Sequence, residues 1–255
     1  MPFTLAHPAA VLPLRGVRYL RTAPLIIGAL IPDLPYYLPR GTGRTLPTHT
    51  FVGSFTTDLV LGYALLAVIF LLQRPLTALL SARARWLCLA ALAPLRRYPL
   101  EWLFAAPAIL VGVWTHLLWD SFTHSNGWMV HRVDALSVPV IIAGLTSPVY
   151  HVLQYVSSAF GLAVMIVWYW RRPMPPPSPA DPLAPRSSVG PVLMLVAAAA
   201  LLIGAVQATE AFGRFHNVYG TLNLLLTHSL AWFAALYLLG GIIVALEHAH
   251  EQASG

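Results

Sequence analysis

The chain has 255 residues, 58% of them hydrophobic and 9% charged. A soluble domain carries about a quarter charged residues, so this composition excludes a water-soluble globular domain and reads as an integral membrane protein. Every basic residue is arginine and the formal charge is +6. Arginines beside hydrophobic spans set topology and meet anionic headgroups, and no arginine/aromatic pattern of a nucleic-acid module accompanies them. The expected partner is therefore membrane lipid, with no nucleic acid.

In chain order, "MPFTLAHPAAVLPLRGVRYL" places its arginines after an apolar start that His-Pro interrupts. That is not the order of a signal peptide, and the segment is read as part of the mature protein. Residues 23–38, "APLIIGALIPDLPYYL", are apolar but short and contain Pro32-Asp33-Leu34-Pro35. Residues 51–72 form a predicted span, broken only by Asp58 near its start. Residues 73–99 carry Arg74, Arg83, Arg85, Arg96 and Arg97 and no acid. The next span, 100–119, has Glu101 at one end and His116 at the other. Residues 136–145 are too short to span and suit a re-entrant or interfacial piece. Residues 149–170 form a span ending in the aromatic belt "WYW", followed by Arg171 and Arg172. A proline-rich linker covers 171–190, and two further spans, 191–209 and 222–246, close the series.

The sequence thus predicts an all-α fold, a polytopic transmembrane helical bundle of five or six spans plus an N-terminal amphipathic or re-entrant segment. Its divisions are a membrane domain at 1–170, the linker, a transmembrane hairpin at 191–246 and a tail at 247–255. Arginine bias puts 73–99 and 171–190 inside. His49, 120–148 and 210–221 then lie outside. If 23–38 crosses, there are six spans, and charge favours that count. If 1–38 is a hairpin that enters and leaves on one face, there are five.

An ionisable group within a span is costly and marks a candidate functional site. Asp33, His49, His116, Asp120 and His124 all gather at one end of the front spans. Cys88 is the only cysteine, so a metal here needs His and carboxylate ligands rather than thiolates. Positions i and i+4 of a helix differ by about 40° and about 6 Å, so His116 and Asp120 can close on one ion. His124 lies a further turn on, about 12 Å from His116 if the helix continues. Either the chain turns near "SFTHSNG", where Asn126-Gly127 allows a break, or the site holds more than one ion. Such a donor set suits Zn2+, one or two ions, with Mn2+ or Fe2+ as further options. The plainer alternatives are that a His-Asp pair is only a hydrogen bond, that Asp33 belongs to a Pro-Asp-Leu-Pro turn, and that His49 sits at a helix start capped by Thr48 or Thr50. His131 reads as interfacial, and His228 is a reserve ligand.

The stretches "MPFTLAHPAAVLPL", "IGALIPDLPYYLP", "THTFVGSFTTDLVLG", "THLLWDSFTHSNGW" and "SPVYHVLQYVSSAFGL" together resemble an uncharacterised family of bacterial integral membrane proteins, a domain of unknown function. The resemblance covers residues 1–170 well and the remainder loosely. More distantly, the order His, Pro-Asp, Thr-His-Thr, His-x-x-x-Asp is similar to predicted membrane-bound metal-dependent hydrolases. It is also similar to the zinc-dependent phospholipases C and their nuclease relatives. Carried over by position, that resemblance makes His7, Asp33, His49, His116, Asp120 and His124 the metal ligands. It also requires residues 1–38 to be a hairpin, which brings His7 to the site's face. The relatives' final His-x-x-x-Glu and N-terminal amine ligand have no counterpart here, which points to one or two ions.

The function expected is a metal-dependent hydrolase of a bacterial inner membrane, with its site on the outer face. Asp33 and Asp120 would be its catalytic carboxylates and a lipid or lipid-linked phosphoester its substrate. A metal-ion or proton transporter and a non-catalytic scaffold are the alternatives.

Overall fold

A computed structural model describes residues 4–37, 46–142, 144–173, 189–215 and 218–254. The N-terminal stretch is a chain of short turns: a 3-10 turn at Thr4–Ala6, helix α1 (Pro8–Val11) and a second 3-10 turn at Leu12–Gly16. Helix α2 (Thr22–Leu30) then runs directly into a 3-10 segment, Ile31–Tyr37. Helix α3 (Phe51–Leu71) opens from Thr50, whose hydroxyl caps the Gly53 amide at 2.9 Å, and contains a π turn at Ser54–Asp58. Helices α4 (Gln73–Ala78), α5 (Ala82–Arg97) and α6 (Glu101–Thr123) follow. A small antiparallel hairpin, β1 (Pro139–Ile142) and β2 (Leu145–Pro148), pairs Ile142 with Leu145 around Gly144, whose positive φ of 81° suits a residue without a side chain. Helices α7 (Val149–Arg171), α8 (Val189–Phe215) and α9 (Val218–Ser254) complete the chain.

Five helical stretches among the described residues are long and apolar enough to cross a membrane: Phe51–Leu71, Glu101–Thr123, Val149–Arg171, Val192–Glu210 and Thr227–Glu247. The fold is therefore the expected all-α polytopic one. Among the described residues, 23–37 do not supply a sixth α-helix of spanning length. Helix α2 has 9 residues and rises only about 13 Å, well short of the roughly 30 Å of bilayer hydrocarbon. Pro32 and Pro35 follow it, and the chain tightens into 3-10 turns there instead of continuing as α-helix. The arginine-rich 73–99 segment is largely helical, holding α4 and α5. The short apolar piece at 136–145 supplies β1, with Ile141 76% exposed at its tip.

The chain divides into two compact units and passes between them several times, once inside α3 between Leu66 and Ala67. The first comprises Met1–Leu34, Thr45–Leu66 and Arg97–Arg172. Its centre is the contact of α2 with α6, which run in the same direction: Arg21 pairs with Glu101 at one end, and the Ala29 carbonyl meets His116 at the other. Glycines make the approach possible. A Cβ on Gly28 would lie 2.1 Å from the Ile109 carbonyl oxygen, and one on Gly112 would lie 2.4 Å from that of Leu25. Small residues of this kind let membrane helices touch backbone to backbone. Val11, Leu25, Ala29 and Ala108 form the buried apolar cluster around the crossing. The second unit comprises Pro35–Arg44, Ala67–Arg96 and Pro173–Gly255. In it α8 and α9 pack together at Gly204, where a Cβ would meet Ser229, and α9 meets α4 through a hydrogen bond from the Tyr237 hydroxyl to the Leu76 carbonyl at 2.7 Å. Of the proline-rich linker, residues 174–188 lie outside the described residues.

Candidate metal site

The first unit brings together all six residues expected as ligands. His7 sits at the start of α1, where Pro8 occupies the first helical position and has no amide hydrogen to leave unpaired. Asp33 lies in the 3-10 segment after α2 and His49 in the turn before α3. His116 and Asp120 are one turn apart on α6, and His124 is the residue at which α6 ends, in an extended conformation. The chain does turn where Asn126-Gly127 allowed it. The Gly127 amide bonds the His124 carbonyl at 2.8 Å, and the Met129 and Val130 amides both bond the Ser121 carbonyl.

Four of these residues face one point. His49 Nε2 lies 3.4 Å from Asp33 Oδ1 and 3.7 Å from Asp120 Oδ2. His116 Nε2 lies 3.6 Å and 3.4 Å from the same two oxygens. The four atoms form a closed ring of alternating nitrogen and oxygen, all within 4.8 Å of one another. Atoms about 2.0–2.2 Å from a tetrahedral zinc ion lie about 3.3–3.6 Å apart, whereas a charge-assisted hydrogen bond between such groups is about 2.7–2.9 Å. The four nitrogen–oxygen separations are too long for direct hydrogen bonds and leave room for an ion among them.

The orientation of the His116 ring is fixed by the backbone. His116 Nδ1 lies 2.9 Å from the Ala29 carbonyl oxygen. A carbonyl only accepts, so Nδ1 carries the hydrogen and Nε2 is the ring nitrogen left to face the carboxylates. Nε2 faces two carboxylate oxygens. His116 and Asp33 are both fully buried, and neither His116 Nε2 nor Asp33 Oδ1 has a hydrogen-bond partner. Two carboxylates around one imidazole nitrogen call for positive charge there, supplied either by a proton on Nε2 or by a metal ion among the three groups. The donor set therefore fits a divalent ion, with one imidazole ring fixed by a backbone carbonyl in the usual manner of metal-bound histidine. His49 is oriented in a similar way: the Thr48 hydroxyl donates to the Pro32 carbonyl at 2.9 Å and lies 3.2 Å from His49 Nδ1.

The other two residues flank the opposite oxygen of Asp120. His7 Nε2 is 3.6 Å from Oδ1, and His124 Nδ1 is 3.4 Å from it. The His7 ring stacks on His116 with centroids 3.8 Å apart and touches the edge of Trp119. Burial, reinforced by neighbouring His116, pushes the pKa of His7 down to about 4, and burial also lowers that of His124. Both rings are thus neutral imidazoles near pH 7, the form that binds metal. His7 and Asp33 meeting at one site means that residues 1–38 turn back on themselves, as the ligand order required and the charge count did not.

Several groups at the site had no clear sequence signal. The Thr4 hydroxyl donates to Asp33 Oδ2 at 2.7 Å. Gln154, one turn into α7, places its side-chain amide 2.8 Å from His124 Nε2. A polar amide near the start of a predicted span was the available hint for Gln154. Asp58, visible in the sequence as a charge inside a span, is fully buried in the π turn, and neither carboxylate oxygen has a hydrogen-bond partner. His228, the reserve ligand, lies 2.7 Å from Gln207 Oε1 in the second unit.

These observations define the class: a polytopic membrane protein with a buried His/Asp cluster able to hold a metal ion. The model of the family described as "Domain of unknown function (DUF4184)" matches residues 1–246, and the chain belongs to that family. No curated protein and no solved structure matches it.

Proposed function

We propose that the protein is a membrane-embedded, metal-dependent hydrolase that cleaves lipid or lipid-linked phosphoesters. The observation that carries the proposal is buried His116 Nε2 set between Asp33 and Asp120 at 3.6 and 3.4 Å, with neither Nε2 nor Asp33 Oδ1 hydrogen-bonded. Asp33, His49, His116 and Asp120 would hold Zn2+, with Mn2+ or Fe2+ as the alternatives for a His/carboxylate set. His7 and His124, beside the second oxygen of Asp120, extend the donor set. A bound divalent ion supplies a water of pKa around 7 and polarises a phosphoryl oxygen. The chain's own contributions are positional. Asp33 is held by Thr4, His116 by the Ala29 carbonyl, and the His7 and Trp119 rings shield one side of the cluster.

Placement supports the choice of substrate class. The cluster sits at one end of α6, and Trp128 just beyond it is 58% exposed with Arg132 over its ring at 4.2 Å. That pairing suits a headgroup layer. Arginine bias supports the reading in which this end faces the outside of a bacterial inner membrane. The likeness to metal-dependent hydrolases rests on ligand order alone. In the test, full-length protein is purified in mild detergent, its metal measured by elemental analysis and phosphodiester cleavage assayed. Stoichiometric zinc and hydrolysis, both lost in His116→Ala, are expected. A metal-free protein whose properties are indifferent to His116 and Asp120 overturns the proposal.

A further inference from the structure

An open groove of about 680 Å³ runs between the Leu12–Gly16 turn and α7. Phe160, Ala163, Val164, Val167 and Trp168 form one side of it. Their spacing of three, four, seven and eight residues marks a single helical stripe, about 12 Å long. The opposite wall is Leu12, Pro13 and Gly16. The groove is apolar for its length and cationic at one end. Arg15 lines it and holds its guanidinium 6.0 Å from the Trp168 ring centre, and Arg172 approaches the same ring at 5.7 Å. Arg15 is exposed and has no acidic partner among the described residues. Trp168 belongs to the "WYW" belt that closes the Val149–Arg171 span, so the cationic end lies at headgroup level and the apolar stripe runs into the hydrocarbon.

We infer that this groove is a binding site for one anionic phospholipid, its phosphate on Arg15 beside Trp168 and one acyl chain along the Phe160–Trp168 stripe. Charge complementarity selects this occupant. A zwitterionic headgroup brings a compensating cation next to Arg15 and Arg172, whereas an anionic one does not. A guanidinium is also the side chain best suited to a phosphate. The depth fits as well, because a dozen ångströms of apolar wall accommodates the upper half of an acyl chain. The inference does not depend on the metal site, which is built from other residues.

The experiment reconstitutes the full-length protein in nanodiscs containing equal amounts of phosphatidylglycerol and phosphatidylcholine. The protein is then released into mild detergent, and its retained lipids are weighed by native mass spectrometry. The wild type is expected to keep one phosphatidylglycerol, at least five-fold in preference to phosphatidylcholine, on the order of the 1 kcal/mol contributed by one basic residue at a membrane surface. Arg15→Gln, a change at an exposed position, is expected to abolish the preference. Ala163→Trp, which fills the stripe, is expected to lower retention of both lipids. Thermal melts confirm that each variant is folded. Equal retention of the two lipids by the wild type overturns the inference, as does a preference that survives Arg15→Gln. A dimer mass removed by Ala163→Trp, with no lipid retained, assigns the groove to a second copy of the chain instead.

Discussion

At the scale of single residues, the site depends on side chains that hold other side chains. The Asp33 carboxylate, fully buried, accepts from the Thr4 hydroxyl through Oδ2 and presents Oδ1 to two imidazoles. Thr4→Val removes that hydrogen bond with little change in shape. Metal affinity is expected to fall 10- to 100-fold, as for other groups that orient a ligand, and competition with a chelator of known affinity measures it. Asp58 makes the contrast. Its oxygens lack partners in a fully buried π turn, and a buried polar group left without a hydrogen bond costs about 1–3 kcal/mol. Asp58→Asn is therefore expected to leave the melting temperature unchanged or raise it and to keep the metal content, whereas Asp33→Asn is expected to lose the metal. The i, i+4 spacing made His116 and Asp120 legible in the sequence, and the cost of charge in lipid made Asp33 legible. Thr4 was not legible, because its contact spans a 29-residue separation and depends on successive 3-10 turns that no simple period encodes.

At the scale of elements, the crossing of α2 and α6 decides where the Ala29 carbonyl stands, and hence which His116 nitrogen bears a hydrogen. Gly112 sits at that crossing, with no room for a Cβ beside the Leu25 carbonyl. Gly112→Ala forces the helices apart and is expected to cost about 1–3 kcal/mol of stability, read as a lowered melting temperature in detergent. The same shift withdraws Ala29 from His116, so metal retention is expected to fall together with stability. The long helices were readable from hydropathy alone. The short ones were not: α2 is as apolar as a span, but its length fails, and residues 23–38 read as one segment until the prolines at 32 and 35 divided them. The hairpin of β1 and β2 gave only its shortness as a warning. The end of α6 at His124 was one of two options left open by the spacing, and the Ser121 carbonyl, accepting from two following amides, is what closes the turn.

At the scale of the whole molecule, arginine placement and the site make one testable topology. Trp128→Cys is expected to react with a membrane-impermeant maleimide in intact cells, and Arg83→Cys only after permeabilisation, each in a Cys88→Ser background. Labelling of Arg83→Cys from outside with Trp128→Cys protected reverses the orientation. The returning N-terminal segment has a further consequence, for synthesis. Asp33 and His49 leave the ribosome well before His116 and Asp120, yet none of the four has its full set of neighbours until α6 is in place. The growing chain must shelter an aspartate and a histidine near lipid until that helix inserts and the cluster closes around them. Chains truncated before α6 would keep those groups uncovered, and membrane quality control would have a direct mark by which to recognise them.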